Sequence, residues 1–214
     1  QRENNIKEGI WFLKENNTAY GKGIKMCDSI QDIKLNMDPE KKYILQKHIN
    51  RPLLLKKKKN HFRIYLLIHF DINTKKYYFY IYKDGLIVIS KYIWTKKIDK
   101  KIQLTRGRKD INNTCINFKE CEYYKKLYNN IKICIKDLIE NFILHLSEFK
   151  DVEKTTYELF GIDILFNKDY IPFILEINKG PIIGIENKKM IKELTNIVFN
   201  SKKTKHDFTL LKEY

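Results

Sequence analysis

Apolar residues alternate with polar ones or run together along the first half of the chain, which predicts strands. Gly9 to Ile30 begins as an apolar strand, crosses an Asn-rich stretch to Gly21-Lys22-Gly23, and becomes apolar again. Another short strand starts at Lys42. The β-branched and aromatic segment "HFRIYLLIHF" from His61 indicates a central strand.

The later pattern mixes a hairpin, helices and a strand pair. "KYYFYIYKDGLIVIS" from Lys76 predicts a hairpin that turns at Lys83-Asp84-Gly85. Residues 98–117 show weak periodicity and predict a loop. From Cys121 to Phe149 apolar residues recur at steps of three and four, as one helical face requires, and a second amphipathic helix starts near Glu186. This order predicts an α+β fold with a mainly antiparallel sheet.

"YELFGIDILFNKDYIPFILEINKGP", from Tyr157 to Pro181, predicts two apolar strands joined by a polar turn. With the turn centred on Asn167 to Tyr170, we expect Asp163 to lie opposite the Ile174 to Glu176 end of the second strand. Asn178 follows Glu176 on the same face. Two close carboxylates repel unless a cation lies between them, and hard oxygen ligands suit Mg²⁺. The alternative is that both acids pair with lysines or point outward from an edge.

Several residues are candidate phosphate ligands. Lys14 ends a strand beside the loop that contains Gly21 and Gly23, and glycine loops can bring backbone N–H groups close to phosphate oxygens. The alternative for this loop is an ordinary turn. Arg63 lies inside an apolar strand, where an unpaired guanidinium is costly. It therefore requires an anionic partner, either a phosphate or a carboxylate such as Asp163.

The composition narrows the class of partner. The 214 residues include 42 Lys and Arg against 26 Asp and Glu, a net charge of +16, which favours an acidic partner or a solvated basic face. The longest apolar runs are far shorter than the roughly 20 residues of a membrane span, so we expect a soluble, intracellular protein without a membrane partner. The chain starts with Gln1, so we expect it to be part of a longer protein.

Four stretches together resemble the tubulin-tyrosine ligase-like branch of the ATP-grasp enzymes, in the family's order and over nearly the whole chain. They are "WFLKENNTAYGKGI", "YILQKHINRPLLL", "NHFRIYLLI" and the acidic hairpin, which looks like the family's Phe-Glu-Leu-Leu-Gly-x-Asp and Leu-Glu-x-Asn-x-x-Pro pair. The hairpin is the most specific match. The family's N-terminal domain is not represented.

The resemblance implies roles for individual residues around ATP and Mg²⁺. The magnesium ligands would be Asp163, Glu176 and Asn178, and Arg63 would be the catalytic residue that approaches the terminal phosphate. The nucleotide would contact Lys14, Gly21, Gly23, Gln46, Lys47, His48, Ile49 and Lys59. The resemblance also implies a glycine-loop sub-domain over residues 1–50 and a C-terminal ATP-grasp sub-domain over residues 51–214, with the nucleotide between them.

The activity so implied is ATP-dependent ligation of an amino acid, glutamate first and otherwise tyrosine or glycine, to the acidic C-terminal tails of tubulin. The protein would then act in the cytoplasm at the cytoskeleton, including a cilium or flagellum. A second hypothesis is a degenerate domain that binds nucleotide and microtubules without ligation. A third is a basic nucleic-acid-binding module, but the aromatic residues mostly fall inside strand and helix patterns, so we do not expect nucleic acid as a partner.

The chain departs from the family pattern at four positions, and these departures motivate the second hypothesis. His61 stands where the family has an aspartate, and Val88 where it has an arginine. Gln103 and Arg106 replace the histidine and asparagine of the His-Leu-Thr-Asn motif.

Overall fold

The structure is a computed structural model, and it describes residues 9–16, 18, 23–105, 115–146, 153–181, 183, 187–199 and 205–214. The strands are β1 (Trp11–Glu15), β2 (Ile24–Cys27), β3 (Tyr43–Lys47), β4 (Leu54–Leu55), β5 (Lys58–Asp71), β6 (Lys76–Ile93), β7 (Cys115–Asn117), β8 (Thr156–Phe166), β9 (Pro172–Lys179) and β10 (Phe208–Glu213). The helices are α1 (Ile30–Asn36), α2 (Lys100–Gln103), α3 (Tyr124–Leu146) and α4 (Lys188–Phe199). The predicted α+β class, with mainly antiparallel sheets, is confirmed.

The chain forms two compact units. Unit 1 comprises Gln1–Asn60 and Val88–Cys115, and unit 2 comprises His61–Ile87 and Ile116–Tyr214. Each unit is discontinuous because the long strands β5 and β6 both cross from one unit into the other. The expected boundary at residue 50 lies ten residues before the end of the first segment of unit 1, and the assignment of 1–50 and 51–214 to ATP-grasp sub-domains stays a prediction.

Unit 1 contains a three-stranded antiparallel sheet in the order β2-β1-β3. Leu13, Cys27 and Ile33 form its small buried core. Ile33 belongs to α1, which the sequence reading did not predict. Ser29 caps this helix by accepting a hydrogen bond from the Asp32 backbone N–H at 3.1 Å, which satisfies one of the donors that a helix start leaves free.

Unit 2 contains the strand order β10-β6-β5-β8-β9, in which β5 is central as predicted. Tyr65 and Leu67 of β5 pack in one buried cluster with Met190 and Leu194 of α4. Because side chains alternate along a strand, the neighbouring residues of β5 face the other side of the sheet. There Phe62 makes edge contacts with Phe118 and Phe166, at centroid distances of 5.3 and 5.1 Å.

The long helix α3 covers that second side of the sheet. Phe142 meets Phe79 of β6 edge-on, and the Tyr128 hydroxyl donates to Thr209 of β10 at 3.2 Å. Its buried residues follow the predicted three- and four-residue steps: Leu127, Tyr128, Ile131, Ile135 and Ile139. The predicted helix from Cys121 is thus confirmed with a start three residues later, and α4 confirms the second one.

The hairpin predicted at Lys83-Asp84-Gly85 is wrong, because β6 runs through these residues as one strand of 18 residues. Asp84 does behave like a turn residue locally, since its carboxylate accepts the backbone N–H groups of Gly85 and Lys119 at 2.8 and 3.1 Å. Gly85 is required by packing: a Cβ there would stand 2.3 Å from the carbonyl oxygen of Arg63. The Asp-Gly pair therefore marks a close approach of two backbones rather than a reversal.

Two further parts of the sequence reading need correction. The expected loop 98–117 contains α2 and the short strand β7 among its described residues. Asp99 caps α2, because its carboxylate accepts the Lys101 backbone N–H at 2.8 Å. The C-terminal strand β10 was not predicted, although the alternation in "FTLLKE" fits the burial pattern that pairs it with β6. All three elements are short, and the two strands are fixed by pairing with β6, which is distant in sequence.

Candidate functional site

The acidic hairpin of unit 2 has the predicted register. Asp163 of β8 lies directly opposite Glu176 of β9 and, on its other side, opposite Arg63 of β5. Directly paired residues of neighbouring strands share a face of the sheet, and Asn178, two residues after Glu176, shares it as well. Four polar side chains from three strands are thus brought together.

This polar group occupies the side of the sheet that α4 covers elsewhere. Arg63 alternates along β5 with Tyr65 and Leu67, which pack under Met190 and Leu194 of that helix. The apolar cover therefore lies over Tyr65 and Leu67, and the next residue on the same face is the arginine. Unit 2 presents a half-apolar, half-polar sheet face, and the polar half carries every candidate metal ligand.

Asp163 is buried, with 6% of its surface exposed, and Arg63 pairs with it through two hydrogen bonds. The guanidinium Nε lies 2.5 Å from Oδ1 and Nη2 lies 2.9 Å from Oδ2. Burial alone would lower the pKa of Arg63, but hydrogen bonding to Asp163 and the charge of that carboxylate raise it above its usual value. Of the anionic partners anticipated for Arg63, the structure shows the carboxylate.

Gly161 makes room for this arrangement and was missed by the sequence reading. A Cβ on Gly161 would stand 3.1 Å from Cδ and 3.2 Å from Nη1 of Arg63, and 2.7 Å from Cβ of Pro181. A larger residue would therefore have to displace Pro181 or the Arg63 side chain. The glycine of "LFGID" was visible in the sequence, but only the tertiary structure explains it, because Arg63 is about a hundred residues distant.

Glu176 is exposed and Asn178 is half-buried. The Asn178 amide Nδ2 donates to Glu176 Oε1 at 3.0 Å. This hydrogen bond does not use the amide oxygen of Asn178, which is the atom that could bind a metal. This hydrogen bond holds the two side chains together on the open part of the strand. His61 also approaches, with Nε2 3.9 Å from Asp163 Oδ1.

The donor set fits a magnesium ion in its chemistry. Asp163, Glu176 and Asn178 supply two carboxylates and an amide oxygen, all hard oxygen ligands. A carboxylate has about four lone-pair sites, so the two hydrogen bonds from Arg63 leave acceptor capacity on Asp163. Among the described residues, no group of three or more His, Cys, Asp and Glu side chains is placed to hold a metal. A metal here would rely on the asparagine and on other ligands such as water or phosphate.

In unit 1 the candidate nucleotide residues fall on β1 and β3 and just after them. Lys14 of β1 lies opposite Ile44 of β3, one residue before the end of this pairing, and Gln46 lies opposite Phe12. Lys47 is exposed and its Nζ lies 5.6 Å from the ring centroid of Trp11. Half-buried Ile49 follows the strand. Their predicted nucleotide contacts stay predictions.

Only one of the two candidate loop glycines can be described. Gly23 has φ 69°, in the left-handed region that favours glycine, and its carbonyl accepts the Glu15 backbone N–H at 3.1 Å. A Cβ there would stand 2.9 Å from the Thr18 side chain. Gly21 lies outside the described residues.

His48 and Lys59 are both buried, with 8% and 4% of their surfaces exposed, and one side chain joins them. The Gln103 carboxamide oxygen lies 3.1 Å from His48 Nε2 and 3.4 Å from Lys59 Nζ. The same oxygen accepts the indole N–H of Trp94 at 3.3 Å. The aromatic ring of Phe12 lies beneath, 5.4 Å from the Lys59 ammonium. The sequence reading treated Gln103 only as a departure and did not single out Trp94.

Burial alters the charge of both basic side chains in this cluster. It lowers the pKa of Lys59 to about 8, far below the usual 10.5. Burial, and next the nearby positive charge of Lys59, lower the pKa of His48. Lys59 is therefore a buried ammonium that loses its proton only slightly above neutral pH. Within the described part of the chain, no salt bridge to Lys59 is found.

Of the four family departures, three can be placed. His61 lies beside Asp163, Val88 is a buried residue of β6, and Gln103 is the centre of the cluster with His48 and Lys59. Arg106 lies outside the described residues.

Comparison with known proteins identifies the family. The tubulin-tyrosine ligase family model matches residues 1–132 and 108–207. Relatives include tubulin glycylase 3A of Drosophila melanogaster, 26% identical over 83% of this chain, and tubulin glycylase 3E of Tetrahymena thermophila, 25% identical over 96%. The human protein named probable tubulin polyglutamylase TTLL2 is 23% identical over 90%.

The chain spans only part of these relatives, namely 20%, 17% and 36% of their respective lengths. Among the described residues, no helix has the length and apolar character needed to cross a membrane. The antiparallel sheets and flanking helices agree with the ATP-grasp-like fold that the resemblance implied. Because the family model covers nearly all of the sequence, this chain belongs to the tubulin-tyrosine ligase family.

Proposed function

We propose that the protein to which this chain belongs is an ATP-dependent ligase that joins an amino acid to tubulin tails through an acyl-phosphate. One observation carries the proposal: Arg63, Asp163, Glu176 and Asn178 meet on one face of the sheet. A cation and hard oxygen donors at one place suit a magnesium-bound triphosphate. The family match and the names of the relatives support the reaction class.

The reaction has two steps. An acceptor carboxylate oxygen attacks the γ-phosphorus of ATP, forming an O–P bond, and the bond from that phosphorus to the β–γ bridging oxygen breaks, so that ADP leaves with the electron pair. The amine of the incoming amino acid then attacks the acyl carbon, loses a proton to solvent, and expels inorganic phosphate. Both steps require close positioning and neutralisation of phosphate charge.

The residues of unit 2 would share this work. Asp163, Glu176 and Asn178 would hold Mg²⁺, which neutralises phosphate charge when bound. Arg63 donates one hydrogen from Nε and one from Nη2 to Asp163, so three of its five N–H groups, including both on Nη1, would be available to the terminal phosphate. In unit 1, Lys14, Gln46, Lys47, His48, Ile49 and Lys59, with Gly21 and Gly23, would contact the nucleotide.

The substrates follow from charge and from the relatives. A chain with a net charge of +16 suits the acidic C-terminal tails of tubulin and an anionic co-substrate, so glutamate is the first amino acid to test, with glycine and tyrosine next. Relatives are named both as glycylases and as probable polyglutamylases, which makes glycine the main competitor. The protein would act in the cytoplasm at the cytoskeleton, including that of a cilium or flagellum.

The test uses the full-length protein with tubulin, ATP, Mg²⁺ and one amino acid at a time, followed by mass spectrometry of the tubulin tails. We expect one added residue mass with the correct amino acid, and its loss in Glu176→Gln, which removes a charge from the exposed ligand without disturbing the core. Ligation that continues unchanged in Glu176→Gln would contradict the assignment of the hairpin.

A second function is favoured by one observation, namely that buried Val88 stands where the family has an arginine. Without that cation, the protein would bind nucleotide and microtubules but transfer nothing. The same mass spectrometry separates the two functions. Nucleotide binding together with unmodified tails, for all three amino acids, supports the second function, whereas any added residue mass excludes it.

A further inference from the structure

Gln103 has an unusually constrained side chain for a residue that departs from the family pattern. Only 2% of its surface is exposed, and its amide nitrogen donates to two backbone carbonyls, those of Thr95 at 2.8 Å and Lys97 at 2.9 Å. Carbonyl oxygens only accept hydrogen bonds, so they fix which end of the carboxamide is nitrogen. Its oxygen must therefore point in the opposite direction.

That oxygen is surrounded by donors. The indole N–H of Trp94 and the ammonium of Lys59 can only donate, and they lie 3.3 and 3.4 Å away. His48 Nε2, at 3.1 Å, must then carry a hydrogen to make a favourable contact, which leaves Nδ1 as its acceptor. Three donors share one oxygen that has two lone pairs. The cluster has more donors than acceptors, and a ligand that brings acceptor oxygens or nitrogens would balance it.

Lys59 is the extreme case within this cluster. It is 4% exposed, and its contacts in the described part of the chain are a neutral oxygen and the Phe12 ring. A buried ammonium normally has a carboxylate partner, because desolvation of a lone charge is costly. Here the charge is held in place but not neutralised.

We propose that Gln103 is a positioning residue, whose neutral carboxamide holds the His48 imidazole and the Lys59 ammonium in place while leaving the ammonium charge available to an anionic ligand. This inference rests on the proposed function, because the ligand is the nucleotide. A carboxylate at this position would hold Lys59 equally well but would cancel its charge. An apolar side chain would leave the Lys59 charge uncancelled but would hold neither the imidazole nor the ammonium in place.

The groups that face Lys59 decide its titration. His48 comes from the segment after β3, Phe12 from β1 and Gln103 from α2, and of these only His48 titrates. Its pKa is lowered, so it is neutral at pH 7 and above. Lys14 shares the face of β1 that carries Phe12 and adds a positive charge. As pH rises above about 8, Lys59 loses its proton and its attraction for phosphate.

The test measures the dissociation constant of magnesium-ATP for the full-length protein by calorimetric titration from about pH 7 to about pH 9.5, a range that spans the lowered pKa of Lys59. We expect affinity to fall with rising pH in the wild type and this step to vanish in Lys59→Met. In Gln103→Glu, affinity at pH 7 should fall about tenfold, and the pH step should move upward, because a carboxylate stabilises the ammonium. In Gln103→Met the step should move downward.

The pH at which affinity falls should shift upward in Gln103→Glu and downward in Gln103→Met if Gln103 is a positioning residue. A structural defect would weaken binding in both variants without separating these two pH values. Gln31→Glu, on the exposed side of α1, makes the same charge change as a matched control and should behave like the wild type. Equal pH profiles in Gln103→Glu, Gln103→Met and the wild type would overturn the inference while leaving nucleotide binding intact. Absence of binding in the wild type would instead contradict the proposed function. If Gln103→Glu does not fold, Gln103→Met and Lys59→Met decide the question.

Discussion

Each unit of the molecule buries one cation that the sequence predicts to bind phosphate or nucleotide, and the surroundings of the two cations differ. Arg63 in unit 2 is clamped by the buried carboxylate of Asp163, and its pKa is raised above the usual value once this pairing outweighs burial. Lys59 in unit 1 has a neutral oxygen and an aromatic ring beside its ammonium among the described residues, and burial lowers its pKa to about 8. The arginine has a carboxylate partner within the protein. In our proposal, the positive charge of the lysine is instead available to an anionic ligand.

Asp163→Asn should give the largest effect, because it leaves the Arg63 guanidinium without its counter-charge. Breaking a largely buried pair in this way should cost about 3 kcal/mol of the free energy of unfolding. Urea unfolding followed by far-UV circular dichroism measures it, because both tryptophans lie in unit 1 and would not report on unit 2. Exposed Asp137→Asn on α3 is the control. A loss below about 1 kcal/mol would mean that the pair adds nothing beyond its desolvation cost.

Lys59→Met should have the opposite sign and stabilise unit 1. A buried lysine with a pKa of about 8 instead of 10.5 destabilises the fold fully below pH 8, and this penalty disappears as pH rises toward 10.5. We expect a gain of about 2 kcal/mol at neutral pH, which shrinks between these two pH values. Tryptophan fluorescence during urea unfolding at several pH values measures it. A loss of stability at neutral pH would show that the ammonium has a favourable partner after all.

Asp207→Asn tests a cation pair that is only partly buried. Hydrogen bonds from Lys189 at 2.6 Å and Lys119 at 3.0 Å lower the pKa of Asp207 to about 2. Its contribution is present above pH 3.8 and is lost as pH falls through about 2. After allowance for solvent screening, we expect a loss of about 1 kcal/mol near pH 7. The difference between variant and wild type should shrink as pH falls from about 3.8 toward 2; a difference that keeps its full size at pH 2 would contradict this origin.

Lys212→Ala should have the smallest effect. Its ammonium lies 2.8 Å from Glu140, but the two side chains are 39% and 58% exposed, so water screens the pair. We expect a change of at most about 0.5 kcal/mol in the free energy of unfolding, reduced further in high salt. A loss as large as that of Asp207→Asn would mean that burial does not rank these pairs.

Much of the fold was predictable because its strongest signals are local. Three- and four-residue periodicity predicted α3, and the β-branched content of β5 predicted its central place. The Asp84-Gly85 pair wrongly predicted a turn, because its glycine is required by a contact that is not local. A side chain at Gly85 would clash with the Arg63 carbonyl of another strand. The short elements α1, α2 and β10 had weak local patterns, and their caps and pairing partners define them.

The candidate site divides in the same way. Hairpin geometry is local, so turn position and alternation placed Asp163 opposite the Ile174 to Glu176 end of β9. The register shift between Asp163 and Ile164, which the structure shows, sets Asp163 directly opposite Glu176. The sequence also showed that Arg63 needs an anion, but it left phosphate and carboxylate open. Gly161 and Trp94 could not be found, because their roles depend on side chains remote in the chain.

The sequence by itself determined the α+β class, the family and the residue types of the site, because periodicity, turn chemistry and ordered motifs are written in neighbouring residues. Only the tertiary structure decided which buried cation is paired. Arg63 meets Asp163 through strand register, and Lys59 meets Gln103 through the packing of α2. Whether a buried charge is neutralised depends on atoms within a few ångströms in space, and these come from residues that are far apart in the chain.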